Sequence, residues 1–223
     1  MVPMQPTQPP VTPVAWTLLI PLKPLSRAKS RLSGAADGTP LPRLALAFAQ
    51  DTVQAALACE PVRNVVVVTD DPQAGRALAA LGARIVPDEP ADGLNAALSH
   101  GADAVRSADS GAALAALNAD LPALRPEELH RVLNAASRYS RAFLPDAAEI
   151  GTTFLSAVPG AALEPAFGGR SRARHRASGA REIAARGVES VRQDVDTPAD
   201  LRAALKLGVG EFTSALLAGR AVC

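Results

Sequence analysis

Basic side chains cluster directly after the first apolar run of the chain. Residues 15–20, AWTLLI, are typical of a buried strand, and four cations follow it: Lys23, Arg27, Lys29 and Arg31. Several flexible cations after a strand suit a polyphosphate, because their donors can follow the oxygens as negative charge moves. The glycines of a GxxxxGK[ST] loop are absent, so backbone amides alone do not bind the phosphates. A solvated basic turn is the alternative interpretation.

Aspartates follow two later strands of the predicted sheet. Asp120 comes after the apolar run 112–117, and Asp194 and Asp196 come after the segment 188–193, which we predict to be a strand. Alternation along an extended chain places Asp194 and Asp196 on one side. Asp120 and one of these carboxylates could together hold Mg²⁺, with phosphate oxygens and water completing its octahedron. Capping of the following helix is the alternative role for Asp196.

Two more loops carry groups that can contact a nucleoside. Asp70 and Asp71 follow the valine-rich run 64–69, where their carboxylates could bind a sugar or a base edge, or simply cap the next helix. Asn95 follows Gly93, and its amide offers both a donor and an acceptor to a base or a ribose hydroxyl. We therefore predict nucleotide contacts at Asp70 and Asn95.

Hydroxyls, glycines and arginines gather between residues 151 and 176. The residues of interest are Thr152, Gly168, Ser171 and the arginines at 170, 172, 174 and 176. Hydroxyls, open backbone amides and guanidinium groups suit a small phosphorylated acid. RNA is the rival ligand for the arginines, and the 3% aromatic content disfavours it because stacking platforms are scarce. For His175 a structural or phosphate contact is favoured over acid–base catalysis, since phosphoryl transfer needs little proton chemistry.

Composition limits the class of protein that can carry these loops. The 223 residues have a net charge of +1, so no global field indicates nucleic acid or an anionic membrane as a partner. No apolar run is long enough to predict a membrane helix. Cys59 and Cys223 show no metal-ligand spacing, and we expect a cytoplasmic protein. Five prolines in residues 1–13 predict a disordered leader over residues 1–14.

Helix and strand patterns alternate through the rest of the chain. We predict helices over 41–58, 73–81, 94–106, 126–137, 178–186 and 198–208, and strands over 15–20, 64–69, 83–86, 112–117, 141–144, 152–157 and 188–193, with 167–177 as a loop. This order favours a single α/β domain over 15–210 with a mostly parallel sheet. In such a sheet, ligands bind at the carboxyl ends of the strands. The apolar tail 211–223 could pack on a second copy, which leaves monomer and homodimer open.

The chemistry-bearing loops, taken in order, resemble a known enzyme family. They are similar to 2-phospho-L-lactate guanylyltransferase and its relative phosphoenolpyruvate guanylyltransferase, both of coenzyme F420 biosynthesis. The resemblance covers about residues 15–208. It rests on the segments PLKPLSRAKSRL, VVVVTDD, GLNAAL, ADLPAL, GTT, FGGRSRARH and DVDTPADL.

The resemblance implies a fold, a reaction and roles for particular residues. The fold is a three-layer, GT-A-like, Rossmann-type nucleotidyltransferase with a mixed sheet. The reaction transfers GMP from GTP to phosphoenolpyruvate or 2-phospho-L-lactate and releases pyrophosphate. By matching positions, the triphosphate and catalytic residues are Lys23, Lys29 and Arg31, with Asn95 as a nucleotide contact. Asp120 and Asp196 match the Mg²⁺ ligands, and the phospho-acid is bound by Thr152, Gly168 and Ser171.

One departure from the family pattern lies beside the expected acceptor site. The family has a Gly-Thr-Gly-Thr run after an aspartate, whereas Glu149 and Ile150 here replace the first Gly and Thr after Asp146. A carboxylate there would repel an anionic substrate unless it turns away or binds a cation. Two alternatives therefore stay open: another nucleotidyltransferase, acting on a molybdopterin or a sugar phosphate, and a non-catalytic nucleotide- or RNA-binding module.

Overall fold

A seven-stranded sheet forms the centre of the molecule. The computed structural model describes residues 14–27, 32, 39–89 and 91–219. The strands are β1 (Trp16–Pro21), β2 (Val62–Val68), β3 (Arg84–Val86), β4 (Ala113–Leu117), β5 (Arg141–Pro145), β6 (Thr152–Ala157) and β7 (Arg181–Glu182). They are ordered β3-β2-β1-β4-β6-β5-β7.

The sheet is mixed but mostly parallel, as predicted. β1 pairs in parallel with β2 and β4, β2 with β3, and β5 with β7. Of the seven strands in the described residues, β6 alone runs the other way, antiparallel to both β4 and β5. The carboxyl ends of β1, β4 and β5 therefore lie at one edge of the sheet, together with the amino end of β6.

Helices cover both faces of this sheet. They are α1 (Leu41–Leu57), α2 (Pro72–Ala80), α3 (Leu94–Ala108), α4 (Pro126–Ala136), α5 (Ser171–Ala177), α6 (Glu189–Arg192), α7 (Pro198–Leu207) and α8 (Glu211–Leu217). Strand alternation divides the core: Leu18 and Ile20 face the cluster that includes α1 and α4, and Leu19 faces the cluster that includes α3. These three layers confirm the predicted single α/β domain. None of the helices in the described ranges is both long and apolar enough to cross a membrane.

The structure differs from the sequence prediction around α5. We predicted a loop over 167–177, but a helix begins at Ser171. The glycines before it suggested an irregular segment, whereas the arginines within it are good helix formers. Ser171 and His175 are both buried and lie four residues apart, which is the spacing of one helix face.

Two further elements were predicted with the wrong type. The segment 178–186 was expected to be a helix, but it contains β7, because pairing with β5 overrides the local helix preference. The segment 188–193 was expected to be a strand, but it contains α6. Val188 and Val191 are both buried at a spacing of three residues, which fits a helix and not a strand.

The segment after residue 210 packs within the chain. Its helix α8 contacts α1, where the buried Asp51 carboxylate accepts the N–H groups of Phe212 and Thr213, each at 2.9 Å. These two donors are among the N–H groups that a helix start leaves without intrahelical partners. The predicted tail is therefore an ordered helix over 211–217. The proposed leader lies outside the described residues except for Val14, and so does Cys223.

Candidate active site

A cleft of about 390 Å³ opens at the carboxyl edge of the sheet. It lies beyond the ends of β1, β4 and β5 and beside the start of β6. Seven of the candidate site residues singled out from the sequence line it: Lys23, Asp120, Thr152, Gly168, Ser171, Asp194 and Asp196. Residues spread over more than 170 positions of the chain thus meet in one depression.

Carboxylates line one part of this cleft. The backbone N–H of Val195 donates to the carbonyl oxygen of Asp120 at 3.1 Å, so the segment after β4 lies beside the segment before α7. This pairing brings Asp120, Asp194 and Asp196 to the same cleft. The Asn118 amide donates to the Asp194 carboxylate at 3.4 Å. The two acidic segments therefore form one continuous wall.

The capping alternative for Asp196 is excluded by its neighbours. Thr197 is the N-cap of α7, and its side chain accepts the N–H of Asp200. The Asp200 carboxylate in turn accepts the N–H of Thr197 at 2.7 Å, which completes a capping box. Asp196 is therefore not the N-cap residue of α7.

The donor chemistry of the acidic wall suits a hard divalent cation. Carboxylate and amide oxygens are the protein ligands that Mg²⁺ prefers. Within the described ranges, no three or more Asp, Glu, His or Cys side chains form a ready metal cage. A cation at this wall would therefore need further ligands besides these side chains.

The basic loop enters the cleft through Lys23. Two hydrogen bonds hold the loop. The Leu22 N–H donates to the Val68 carbonyl oxygen, and the Leu25 N–H donates to the Asp71 carboxylate, each at 2.9 Å. Asp71 also caps α2, so the capping interpretation of this residue is confirmed. Lys29 and Arg31 lie outside the described residues, and their phosphate contacts stay predictions.

Asp70 and Asn95 do not line the cleft. The Asp70 carboxylate accepts the N–H of Asp88 at 2.9 Å. The Asn95 side chain uses both ends of its amide on Phe167: it accepts the Phe167 N–H at 2.8 Å and donates to the Phe167 carbonyl at 3.2 Å. Asn95 thus holds the glycine-rich segment that follows Phe167. The nucleotide contacts of Asp70 and Asn95 stay predictions.

Another part of the cleft carries small and hydroxylated residues. Thr152 begins β6, Ser171 begins α5, and both side chains are buried. Gly168 and Gly169 adopt φ values of +93° and +46°, a left-handed backbone that favours glycine. This conformation turns the chain sharply between Phe167 and α5 and leaves backbone groups of the turn facing the cleft.

Asp146 lines the cleft although the sequence did not single it out as a site residue. Its carboxylate accepts the N–H groups of Ile150 and Gly151 at 2.9 and 2.8 Å, which closes the turn between β5 and β6. A Cβ at Gly151 would lie 2.4 Å from the Asp146 carboxylate, so this approach requires glycine. An aspartate shortly before a glycine in a turn between strands was the available signal.

The arginines after Gly169 do not line the cleft, contrary to expectation. Arg172 binds the Glu182 carboxylate with two N–H groups, at 3.1 and 2.7 Å. Arg176 pairs with the same carboxylate. Arg174 donates to the carbonyl groups of residues 166–168. Of the described residues lining the cleft, Lys23 alone carries positive charge.

Glu149 is turned away from the cleft and paired with two cations. Its carboxylate contacts Arg172 and Arg192, each at 3.3 Å. The residue adopts φ +59°, and its side chain does not line the cleft. Because two guanidinium groups balance its charge, the carboxylate does not repel an anion bound near Gly151.

His175 lies behind the hydroxyl-bearing wall and is fully buried. Its Nδ1 is 3.0 Å from the Thr152 hydroxyl, and its Nε2 accepts the N–H of Ala166 at 3.0 Å. Burial lowers the pKa of His175 to about 4, and the positive charges of Arg141 and Arg174 add to the shift. The ring is therefore neutral near pH 7.

The fold and this cleft define a nucleotidyltransferase, and the comparisons with known proteins agree. Residues 42–194 match the MobA-like NTP transferase domain family. A nucleotidyl transferase from Methanothermobacter has the same fold: TM-score 0.56, 20% identity, covering 86% of this chain and 97% of its own. A Mycobacterium tuberculosis protein solved in complex with manganese also superposes, with TM-score 0.53 and 19% identity over 86% of this chain and 99% of its own.

The particular family follows from a much closer relative. The phosphoenolpyruvate guanylyltransferase of Streptomyces avermitilis is 68% identical over 203 residues, which cover 91% of this chain and 94% of the relative. The chain belongs to the phosphoenolpyruvate guanylyltransferase family, within the MobA-like NTP transferases, and is a nucleotidyltransferase enzyme.

Proposed function

We propose that this enzyme transfers GMP from GTP to phosphoenolpyruvate and releases pyrophosphate, with Mg²⁺ as the cation, as a step in coenzyme F420 assembly. One observation supports this proposal above the others. The Lys23 ammonium and several carboxylates line the same cleft as the hydroxyl-bearing residues and glycines. The name of the Streptomyces avermitilis relative supports phosphoenolpyruvate as the acceptor. The sparse cysteines favour a cytoplasmic location.

The reaction is a displacement at phosphorus. An oxygen of the acceptor phosphate attacks the α-phosphorus of GTP and forms a new P–O bond. The bond from the α-phosphorus to its bridging oxygen breaks, and pyrophosphate leaves with the electron pair. The acceptor phosphate is already ionised, so no general base is needed. The environment of His175 agrees with a reaction without a general base, because both nitrogens of its neutral ring form hydrogen bonds with protein groups.

The donor end of the cleft aligns and neutralises the nucleotide. The Lys23 ammonium would bind the departing pyrophosphate, and Lys29 and Arg31 are expected to join it. Asp120 and Asp196 are the residues that would hold Mg²⁺, which supplies charge neutralisation to the phosphate oxygens when bound. Rate enhancement then comes from alignment and charge complementarity.

The acceptor end recognises its ligand with neutral donors. Thr152 and Ser171 offer hydroxyl groups, and the turn at Gly168 offers backbone groups. Their oxygen and nitrogen donors match the phosphate and carboxylate oxygens of a three-carbon acid. The neighbouring arginines instead bind Glu182, Glu149 and backbone carbonyls, and so hold this wall in place.

Acceptor choice is tested by offering several acceptors with labelled GTP and Mg²⁺. Phosphoenolpyruvate and 2-phospho-L-lactate are compared with a sugar phosphate, and both pyrophosphate release and product mass are recorded. We expect a guanylylated phosphoenolpyruvate as the main product. Binding of GTP without pyrophosphate release from any acceptor would show a non-catalytic module, and transfer to the sugar phosphate alone would show a different transferase.

The acidic wall is tested by Asp120→Asn. Loss of one carboxylate should lower Mg²⁺-dependent turnover by about 100-fold or more, because the cation loses a charged ligand. Asp103→Asn is the matched control, since Asp103 is exposed on α3 and does not line the cleft. Near-wild-type turnover of Asp120→Asn would remove this residue from the metal site.

A further inference from the structure

The hydrogen bonds around His175 determine which of its nitrogens carries the proton. The backbone N–H of Ala166 can only donate, and it points at Nε2 across 3.0 Å. Nε2 must therefore present a lone pair, which leaves the proton of the neutral ring on Nδ1. Nδ1–H then donates to the Thr152 hydroxyl oxygen, 3.0 Å away.

This tautomer fixes the direction of the Thr152 hydroxyl. The oxygen accepts the Nδ1–H bond, so its own proton is turned away from the ring. Thr152 begins β6 and lines the cleft. Because the Thr152 hydroxyl already accepts a hydrogen bond from the ring, it is arranged as a donor on the side that faces away from the ring.

The same ring also joins two parts of the acceptor wall. Its Nε2 accepts the Ala166 N–H, and its Nδ1–H donates to the Thr152 hydroxyl. One side chain therefore links β6 to the segment before Gly168. Phe167 packs edge-on against the ring at 5.1 Å between centroids, and Phe143 lies at 5.8 Å. The aromatic contacts leave the ring little freedom to flip.

We propose that His175 is a positioning residue that sets the Thr152 hydroxyl as a hydrogen-bond donor to an anionic oxygen of the acceptor. The inference rests on the proposed function, because it takes the acceptor to bind at this wall. His175 does not touch the substrate. It acts through Thr152, and its neutral state is required because a proton on Nε2 would oppose the Ala166 N–H.

Two substitutions separate the two hydrogen bonds of the ring. In His175→Asn the amide takes the place of Nδ1 and keeps a donor for Thr152, whereas in His175→Gln it takes the place of Nε2 and keeps an acceptor for Ala166. We expect His175→Gln to raise the acceptor KM by about tenfold, with the GTP KM changed by less than about twofold. His175→Asn should raise the acceptor KM much less.

Thr152→Val completes a double-mutant cycle. It should raise the acceptor KM by about tenfold. Adding His175→Gln should cause no further rise, because both changes remove the same hydrogen-bond donor to the acceptor, the Thr152 hydroxyl. Thr152→Ser, which keeps the hydroxyl, should restore the KM. Thr153→Val is the matched control: Thr153 is the next residue on β6, its buried hydroxyl has no hydrogen-bond partner in the described part of the chain, and it does not line the cleft.

The outcomes distinguish this inference from the proposed function. If the wild type transfers GMP but the two His175 variants raise both KM values equally, or the cycle is additive, His175 is only structural and the inference fails. If the wild type transfers GMP to no acceptor, the proposed function fails. Nitrogen NMR of labelled histidine in the wild type is independent of any variant's folding, and an Nε2-protonated ring at pH 7 would overturn the inference.

Discussion

Protonation of His175 should make the protein measurably less stable in mild acid. In the folded chain, burial lowers the pKa of this residue to about 4 from its ordinary value of 6.5. Between these two values the unfolded chain binds a proton that the folded chain does not. Stability therefore falls as the pH drops below 6.5, and the loss levels off below about pH 4.

The size of the effect follows from the two pKa values. Proton linkage gives a loss in unfolding free energy of about 2 kcal/mol at pH 5 and about 3 kcal/mol at pH 4, relative to pH 7. The side chain is fully buried, so solvent does not screen this difference. Other groups, including Asp51 with its raised pKa and Glu182 with its lowered pKa, also contribute to the total pH dependence.

Comparison with a variant isolates the contribution of His175. Urea unfolding of the wild type and of His175→Gln is measured from pH 7 to pH 4, and the difference between the two curves removes the terms that both proteins share. The wild type should lose about 2 kcal/mol more than the variant by pH 5. His130→Gln is the control, because the His130 side chain on α4 is about half exposed. Parallel curves for the wild type and His175→Gln would refute the buried, neutral ring.

Three further predictions concern charge, capping and the acceptor wall. Glu149→Gln should change the acceptor KM by less than about twofold, because the carboxylate faces Arg172 and Arg192 and not the cleft; a large fall in KM would contradict this. Asp51→Ala should lower the urea-unfolding free energy by about 2 kcal/mol, since α8 loses its cap, and an unchanged value would show the cap to be unimportant. Asn95→Ala should raise the acceptor KM more than the GTP KM; the reverse result would support the nucleotide contact predicted from sequence.

The sheet and one part of the cleft could be predicted from the sequence because local pattern and burial agree there. The four valines at residues 65–68 of β2 are buried on both faces, as their unbroken run predicts for a central strand. Asp120 follows β4 at the carboxyl edge of the sheet, as the predicted strand order implies. Asp196 reaches the same cleft although the element before it is the helix α6 and not the predicted strand, because Val195 donates its N–H to the Asp120 carbonyl oxygen. Residue type and strand direction were sufficient for β2 and Asp120, whereas Asp196 was selected by residue type alone.

The acceptor wall could not be predicted in the same detail, because long-range contacts decide its structure. The arginines were expected to bind the acceptor, but Arg172 finds Glu182 ten residues later and Arg174 finds backbone carbonyls. Nothing local in the sequence indicates that Asn95 reaches Phe167, 72 residues away. Thr152, one of the two hydrogen-bond partners of His175, likewise lies on β6, 23 residues earlier.

The glycine-rich turn after Phe167 is anchored from two directions. Asn95 on α3 binds the backbone of Phe167, while Arg174 and His175 on α5 bind the backbone of Ala166 and Phe167. A segment with so many separate attachments moves only if several hydrogen bonds break together. We therefore expect the guanylylated product to leave without displacement of this turn, so that substitutions that loosen the chain elsewhere leave the rate of product release unchanged.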